Sequence, residues 1–128
     1  MDGKDNMSEV EGVLVIDDSR VSRLMVNAIL KQHYPDAHLY EAGNAEETLA
    51  LEIKEELSHI ICDFNMPGMD GVKLSTKLQK LYPNAIITLL TANIQASIRN
   101  KAEDQGLYFA KKPVTEERIL SILSKTKK

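Results

Sequence analysis

The chain has 128 residues, 43% of them hydrophobic, and a formal net charge of -3 from 16 basic and 19 acidic side chains. That length holds one domain with a single core and leaves no room for a second of ordinary size. The intermixed charges supply neither the basic stripe of a nucleic-acid binder nor a polybasic membrane anchor, and no apolar run approaches the ~20 residues of a membrane span.

Residues 1–11 are polar and acidic, with no basic n-region and no apolar h-region, so a disordered extension is expected before a domain at 12–128 of a cytoplasmic protein. Val13 to Ile16 reads as the first strand. The first helix is expected from about Ser19 to Gln32, with Val21, Leu24, Met25, Ala28 and Ile29 on its apolar face and Pro35 closing the connection. His38 to Glu41 forms a second strand. Asn44 can cap a second helix, with Glu47 reaching back as in a capping box, and that helix is expected to run to about Leu57.

The third strand, near His59 to Cys62, contains the only cysteine, read as a buried and inert thiol. It leads into Phe64-Asn65-Met66-Pro67-Gly68-Met69-Asp70-Gly71, a tightly shaped loop in which Met66 and Met69 are read as packing residues. A third helix follows to about Leu81, and a fourth strand covers roughly Ala85 to Leu90. The fourth helix spans about Gln95 to Gln105 with Gly106 as its stop, then comes a strand around Tyr108 to Ala110. Thr115 can cap a last helix whose Ile119, Ile122 and Leu123 recur at helical spacing. Strand-like runs alternating with helical patterns predict an α/β domain with a parallel sheet.

Reactive residues end four of the apolar runs: Asp17-Asp18, Asp63, Thr91 and Lys112. The carboxyl ends of parallel strands are where open α/β sheets build their sites. Carboxylates gathered there repel unless something positive lies between them, so an ammonium group and an oxygen-seeking divalent cation are expected. Asp63, the isolated carboxylate, suits a nucleophile attacking phosphorus in line, with Mg²⁺ and Lys112 neutralising the transferring group. Thr91 offers a hydroxyl to a phosphoryl oxygen. The three histidines, His33, His38 and His59, lie outside this set.

In this order and spacing, Asp17-Asp18, the segment Asp63 to Gly71, Thr91-Ala92 and Lys112-Pro113 resemble the receiver domains of two-component response regulators, especially the single-domain chemotaxis type. The resemblance covers Val13 to about Lys125. It implies a flavodoxin-like doubly wound fold, a five-stranded parallel sheet of order 2-1-3-4-5 with five helices. It also implies that Asp63 is the phosphoacceptor, that Asp18 binds Mg²⁺ directly and Asp17 through water, and that the backbone carbonyl of Asn65 is a further ligand. Thr91 becomes the switch hydroxyl, Lys112 the phosphate partner before a cis Pro113, and Phe109 the switch aromatic. Asn65 and Asn93 would tune loss of the phosphoryl group. The implied partners are a histidine kinase and a downstream protein met through the face of helix four, strand five and helix five. The implied state is a monomer or a phosphorylation-dependent dimer, bound to neither nucleic acid nor membrane.

Taken singly, each residue has a plainer role: Asp17 or Asp18 as a helix cap, Asp63 as a turn carboxylate, Thr91 as a strand-end residue, Lys112 as a solvated charge. Their joint occurrence at four strand ends favours a phosphorylatable receiver that catalyses its own phosphotransfer and autodephosphorylation and is not otherwise an enzyme. Two rivals remain. A Mg²⁺-dependent aspartyl phosphohydrolase needs a second acid near its nucleophile, where Asn65 stands, and a phosphorylation-independent pseudo-receiver should lack Asp63, Asp18 or Lys112. A dinucleotide-binding domain fails because Asp17-Asp18-Ser19-Arg20 replaces the glycine-rich turn.

Overall fold

Apolar side chains occupy consecutive positions in the inner strands, which commits both faces of the sheet to burial and requires helices on each. A computed structural model describes residues 10–64, 66, 71–92 and 95–125. In chain order the elements are β1 (Gly12–Ile16), α1 (Arg20–His33), β2 (His38–Ala42), α2 (Ala45–Ala50), β3 (His59–Asp63), α3 (Gly71–Leu81), β4 (Ile86–Thr91), α4 (Ala96–Asp104), β5 (Tyr108–Lys111) and α5 (Glu116–Leu123). All strand pairs are parallel and the order is β2-β1-β3-β4-β5, so the predicted doubly wound, flavodoxin-like architecture stands.

Alternation along the strands divides the core in two. Leu14, Ile16, Ile60, Cys62, Ile87 and Leu89 pack with Leu74 and Leu78 of α3 and Ala102 of α4. Val13, Val15, Ile61 and Leu90 face the other way, onto Val26 and Leu30 of α1 and Ile119, Ile122 and Leu123 of α5. Each large aliphatic side chain buried in this way contributes about 1.5–3 kcal/mol. Ser19, Asn44 and Thr115 cap α1, α2 and α5 by accepting from the amides of Ser22, Glu47 and Arg118. Gly106, at φ 88°, follows α4 in the left-handed conformation its stop requires.

Two expectations are corrected. The second helix ends at Ala50 instead of near Leu57. Leu51, Ile53 and Leu57 face inward while Glu52, Lys54 and Glu56 face solvent, a period of two that belongs to extended chain. Glu52, Glu55 and Glu56 would also have crowded the negative end of a longer helix. Gly12 lets this segment run close beside β1, since a Cβ there would stand 2.6 Å from the Glu56 carbonyl oxygen.

The second correction concerns α1. Val26 and Leu30 are its buried residues, whereas Val21, Leu24 and Met25 are 66, 53 and 43% exposed. The helix is rotated so that Arg23 and Asn27 reach Glu41 on β2, and this sets the inward stripe about one residue away from the expected one. The expected extension lies outside the described residues as far as residue 9. At its end Val10 is buried, and the exposed Glu11 bonds the Ser58 hydroxyl through its amide and the His38 amide through its carbonyl. Asn65, Met69 and Asn93 also lie outside the described residues. No helix among the described residues is long and apolar enough to cross a membrane.

Candidate metal and phosphoryl site

Neighbouring parallel strands in register deliver their last residues to one place. Ile16 of β1 pairs with Cys62 of β3, so Asp17 and Asp63, the next residue in each case, come side by side. One carboxylate oxygen from each of Asp17, Asp18 and Asp63 lies within 4.8 Å of the other two, with Asp17 and Asp63 buried and Asp18 exposed. Lys112, brought in after β5, places Nζ 3.0 Å from Asp63 Oδ1. Its backbone N–H donates to the Thr91 carbonyl at 2.9 Å, and the Lys112-Pro113 peptide is cis.

Asp17 is held at both its backbone and its side chain. Its amide donates to the Ala42 carbonyl at 3.0 Å, and its Oδ1 accepts from the Ser19 amide at 2.9 Å. Burial pushes its carboxyl above the ordinary range; the Ser19 hydrogen bond opposes this, Asp63 adds to it, Lys112 opposes and Asp18 adds. The Cys62 thiol is pushed up to about 12, chiefly by burial and further by Asp63 and Asp17, as an inert core residue should be.

Three hard oxygen donors of net negative charge, one open to solvent, fit a hard divalent cation of the Mg²⁺ or Ca²⁺ type and do not fit a soft metal. A single ammonium cannot neutralise three carboxylates.

Residues 13–124 match the family model for the response regulator receiver domain. The chain belongs to this family. The receiver is 29% identical over 106 residues to a cyclic di-GMP phosphodiesterase of Thermotoga maritima, covering 82% of this chain but 28% of that protein. The first two curated relatives are thus more than three times as long as the matched segment. It is 25% identical over 104 residues to the sporulation initiation phosphotransferase F of Bacillus subtilis, covering 79% of this chain and 82% of that one. Among solved structures, a Burkholderia pseudomallei response regulator with a phosphorylated aspartic acid and a calcium ion superposes with a TM-score of 0.76 at 28% identity, over 88% of this chain and 66% of that one. Receivers in general bind Mg²⁺ at the acidic pocket and interact with histidine kinases and downstream partners.

The fold therefore brings Asp17, Asp18, Asp63 and Lys112 together. Thr91, the buried last residue of β4, stands one position beyond Leu90, which pairs with Asp63. Of the two adjacent lysines, Lys112 meets Asp63, while Lys111 is exposed and gives its carbonyl to Arg118. Phe109 is half-buried and packs edge-on to Phe64 with ring centroids 6.0 Å apart, whereas Tyr108 is exposed. Met66 packs into the core as expected. Buried His59 begins β3, at the opposite end from Asp63, and its ring nitrogens contact the Ser58 hydroxyl and the Lys125 carbonyl.

Sequence reasoning passed over Arg23 and Glu41. Arg23 donates Nη1 to the Asp17 carbonyl at 2.5 Å and Nε to Glu41 Oε1 at 3.0 Å. Arg23 lies among apolar residues of α1, where an exposed position is the usual reading. Glu41 is an exposed carboxylate in a short strand, and its sequence neighbours give no signal for this contact.

Proposed function

We propose that this receiver takes a phosphoryl group from a histidine kinase onto Asp63 and thereby changes its affinity for a protein partner, or passes the group onward as a relay or sink. The observation that carries this reading is the acidic triad within 4.8 Å, joined by Lys112 at 3.0 Å from Asp63. In the transfer, an Asp63 carboxylate oxygen forms a bond to phosphorus as the P–N bond to the donor imidazole breaks, and the electron pair leaves with that ring. Lys112 draws the phosphoryl oxygens toward its ammonium and holds them in line.

Asp18 and Asp63, with the carbonyl of Asn65 and with Asp17 acting through water, would hold Mg²⁺. The ion supplies charge neutralisation to the transferring group. Once Asp63 is modified, its added negative charge attracts the Thr91 hydroxyl, and Phe109 follows into the space behind it. The face formed by α4, β5 and α5 is then altered, a two-state element biased by local charge. The acting unit is residues 12–128 in a cytoplasmic protein, as a monomer or a phosphorylation-dependent dimer, and its chemistry is limited to its own phosphorylation and dephosphorylation.

The test is incubation with Mg²⁺ and a small phosphodonor, followed by assay for an acid-stable, base-labile phosphate. Asp63→Asn should abolish it. Persistent labelling of that variant would move the acceptor elsewhere, and absence of labelling in the parent, with kinase or without, would leave a phosphorylation-independent interaction module.

A further inference from the structure

The acidic pair sits on a turn, and turns hold donor geometry only where their peptide groups are tied down. At Asp17 the amide is fixed by Ala42 and the side chain by Ser19, which leaves the carbonyl as the remaining backbone tether. Arg23 supplies it. Its side chain is only 19% exposed and bridges two acceptors, the Asp17 carbonyl through Nη1 and Glu41 Oε1 through Nε. Glu41 is held in turn, its Oε2 accepting from Asn27 Nδ2 at 2.7 Å.

We infer that Arg23 is a positioning residue for the cation site, acting through the turn that bears Asp17 and Asp18. The proposal rests on the reading of the acidic cluster as a Mg²⁺ site. Because the guanidinium is paired with Glu41, its charge is compensated locally, and what it contributes is the placement of two acceptors by one planar fork. A lysine can reach one of them at a time and cannot reproduce that bridge. Outer-sphere groups of this kind change metal affinity by about 10- to 100-fold when removed.

The experiment is calorimetric titration of the full chain with Mg²⁺, together with amide hydrogen exchange at Ser19 in the metal-free protein. Arg23→Ala should weaken Mg²⁺ binding by about tenfold and speed exchange at Ser19, while amides in β3 and β4 keep their protection. Arg23→Lys should resemble Arg23→Ala, and Glu41→Gln should fall between it and the parent; these two also carry the test if Arg23→Ala does not fold. An unchanged Mg²⁺ affinity in all three variants overturns the proposal, leaving Arg23 with a role in stability alone. Recovery of full affinity by Arg23→Lys overturns it equally, because charge and not the fork would then be the determinant. A parent protein that takes up no Mg²⁺ removes the metal reading itself, and the proposal with it.

Discussion

Lys112 Nζ and Asp63 Oδ1 lie 3.0 Å apart, the lysine side chain 29% exposed and the carboxylate 4%. The pair joins the end of β3 to the chain just after β5, across the intervening β4. Lys112→Ala leaves three carboxylates together without their ammonium, so the metal-free protein should lose about 1–3 kcal/mol, less than for a fully buried pair because water reaches the lysine. Denaturant titration checks this, and Mg²⁺ should narrow the difference. Phosphorylation by a small donor should slow by on the order of 10²-fold, as when one preorganised donor to a reacting oxygen is removed.

Cation binding to the folded chain should raise its stability by mass action. At a Mg²⁺ concentration one hundred times Kd the gain is about 2.7 kcal/mol, visible as a higher Tm and reversed by chelation. Asp18→Asn and Asp63→Asn should each remove most of this response, because each deletes a charged donor from a cluster whose oxygens lie within 4.8 Å.

Asp17 carries a pH signature. Its carboxyl is raised above the ordinary range mainly by burial, so the folded state holds the proton more tightly than the unfolded state does. The stability this contributes is fully present below the unfolded carboxylate range and is lost as pH rises through the folded value. Without metal, Asp17→Asn should therefore have a higher Tm than the parent at neutral pH, and the gap should close as the solution is acidified below the ordinary carboxylate range. Melting curves across pH measure it; a gap that widens on acidification would contradict the assigned direction.

Phe64 and Phe109 form an edge-to-face pair between the residue after the proposed acceptor and β5. In a double-mutant cycle with Phe64→Leu and Phe109→Leu, the double variant should lose about 0.5–1.5 kcal/mol less than the sum of the two single losses, since either change alone already removes the ring contact. Coupling near zero would show that the rings are neighbours without mutual stabilisation. If Phe109 moves when Asp63 is modified, the coupling should change in phosphorylated protein.

Much of the site was legible because its residues end apolar runs, and in a parallel sheet every such end lies on the same edge. Asp63 and Lys112 could be paired in this way although 49 positions separate them in the chain. The helical face of α1 was not legible. The expected stripe of Val21, Leu24, Met25, Ala28 and Ile29 overlaps the inward one of Val26, Ile29 and Leu30, sharing Ile29, and periodicity alone does not rank two overlapping stripes on one helix. The polar contacts of Arg23 and Asn27 with Glu41 decide between them. At 51–57 a strong cap at Asn44 suggested a long helix, while the alternation of Leu51, Ile53 and Leu57 prevailed because those side chains had an apolar surface to cover.

From the sequence alone came the parallel α/β class and the strand ends that bring Asp17, Asp18 and Asp63 together, since each depends on local pattern and on the alternation imposed by the backbone. Tertiary structure decided which side of α1 faces the sheet, where α2 stops, and that Arg23 tethers the Asp17 carbonyl to Glu41. Those outcomes depend on competition among distant groups for the same space and the same hydrogen bonds, and no short stretch of chain contains both competitors.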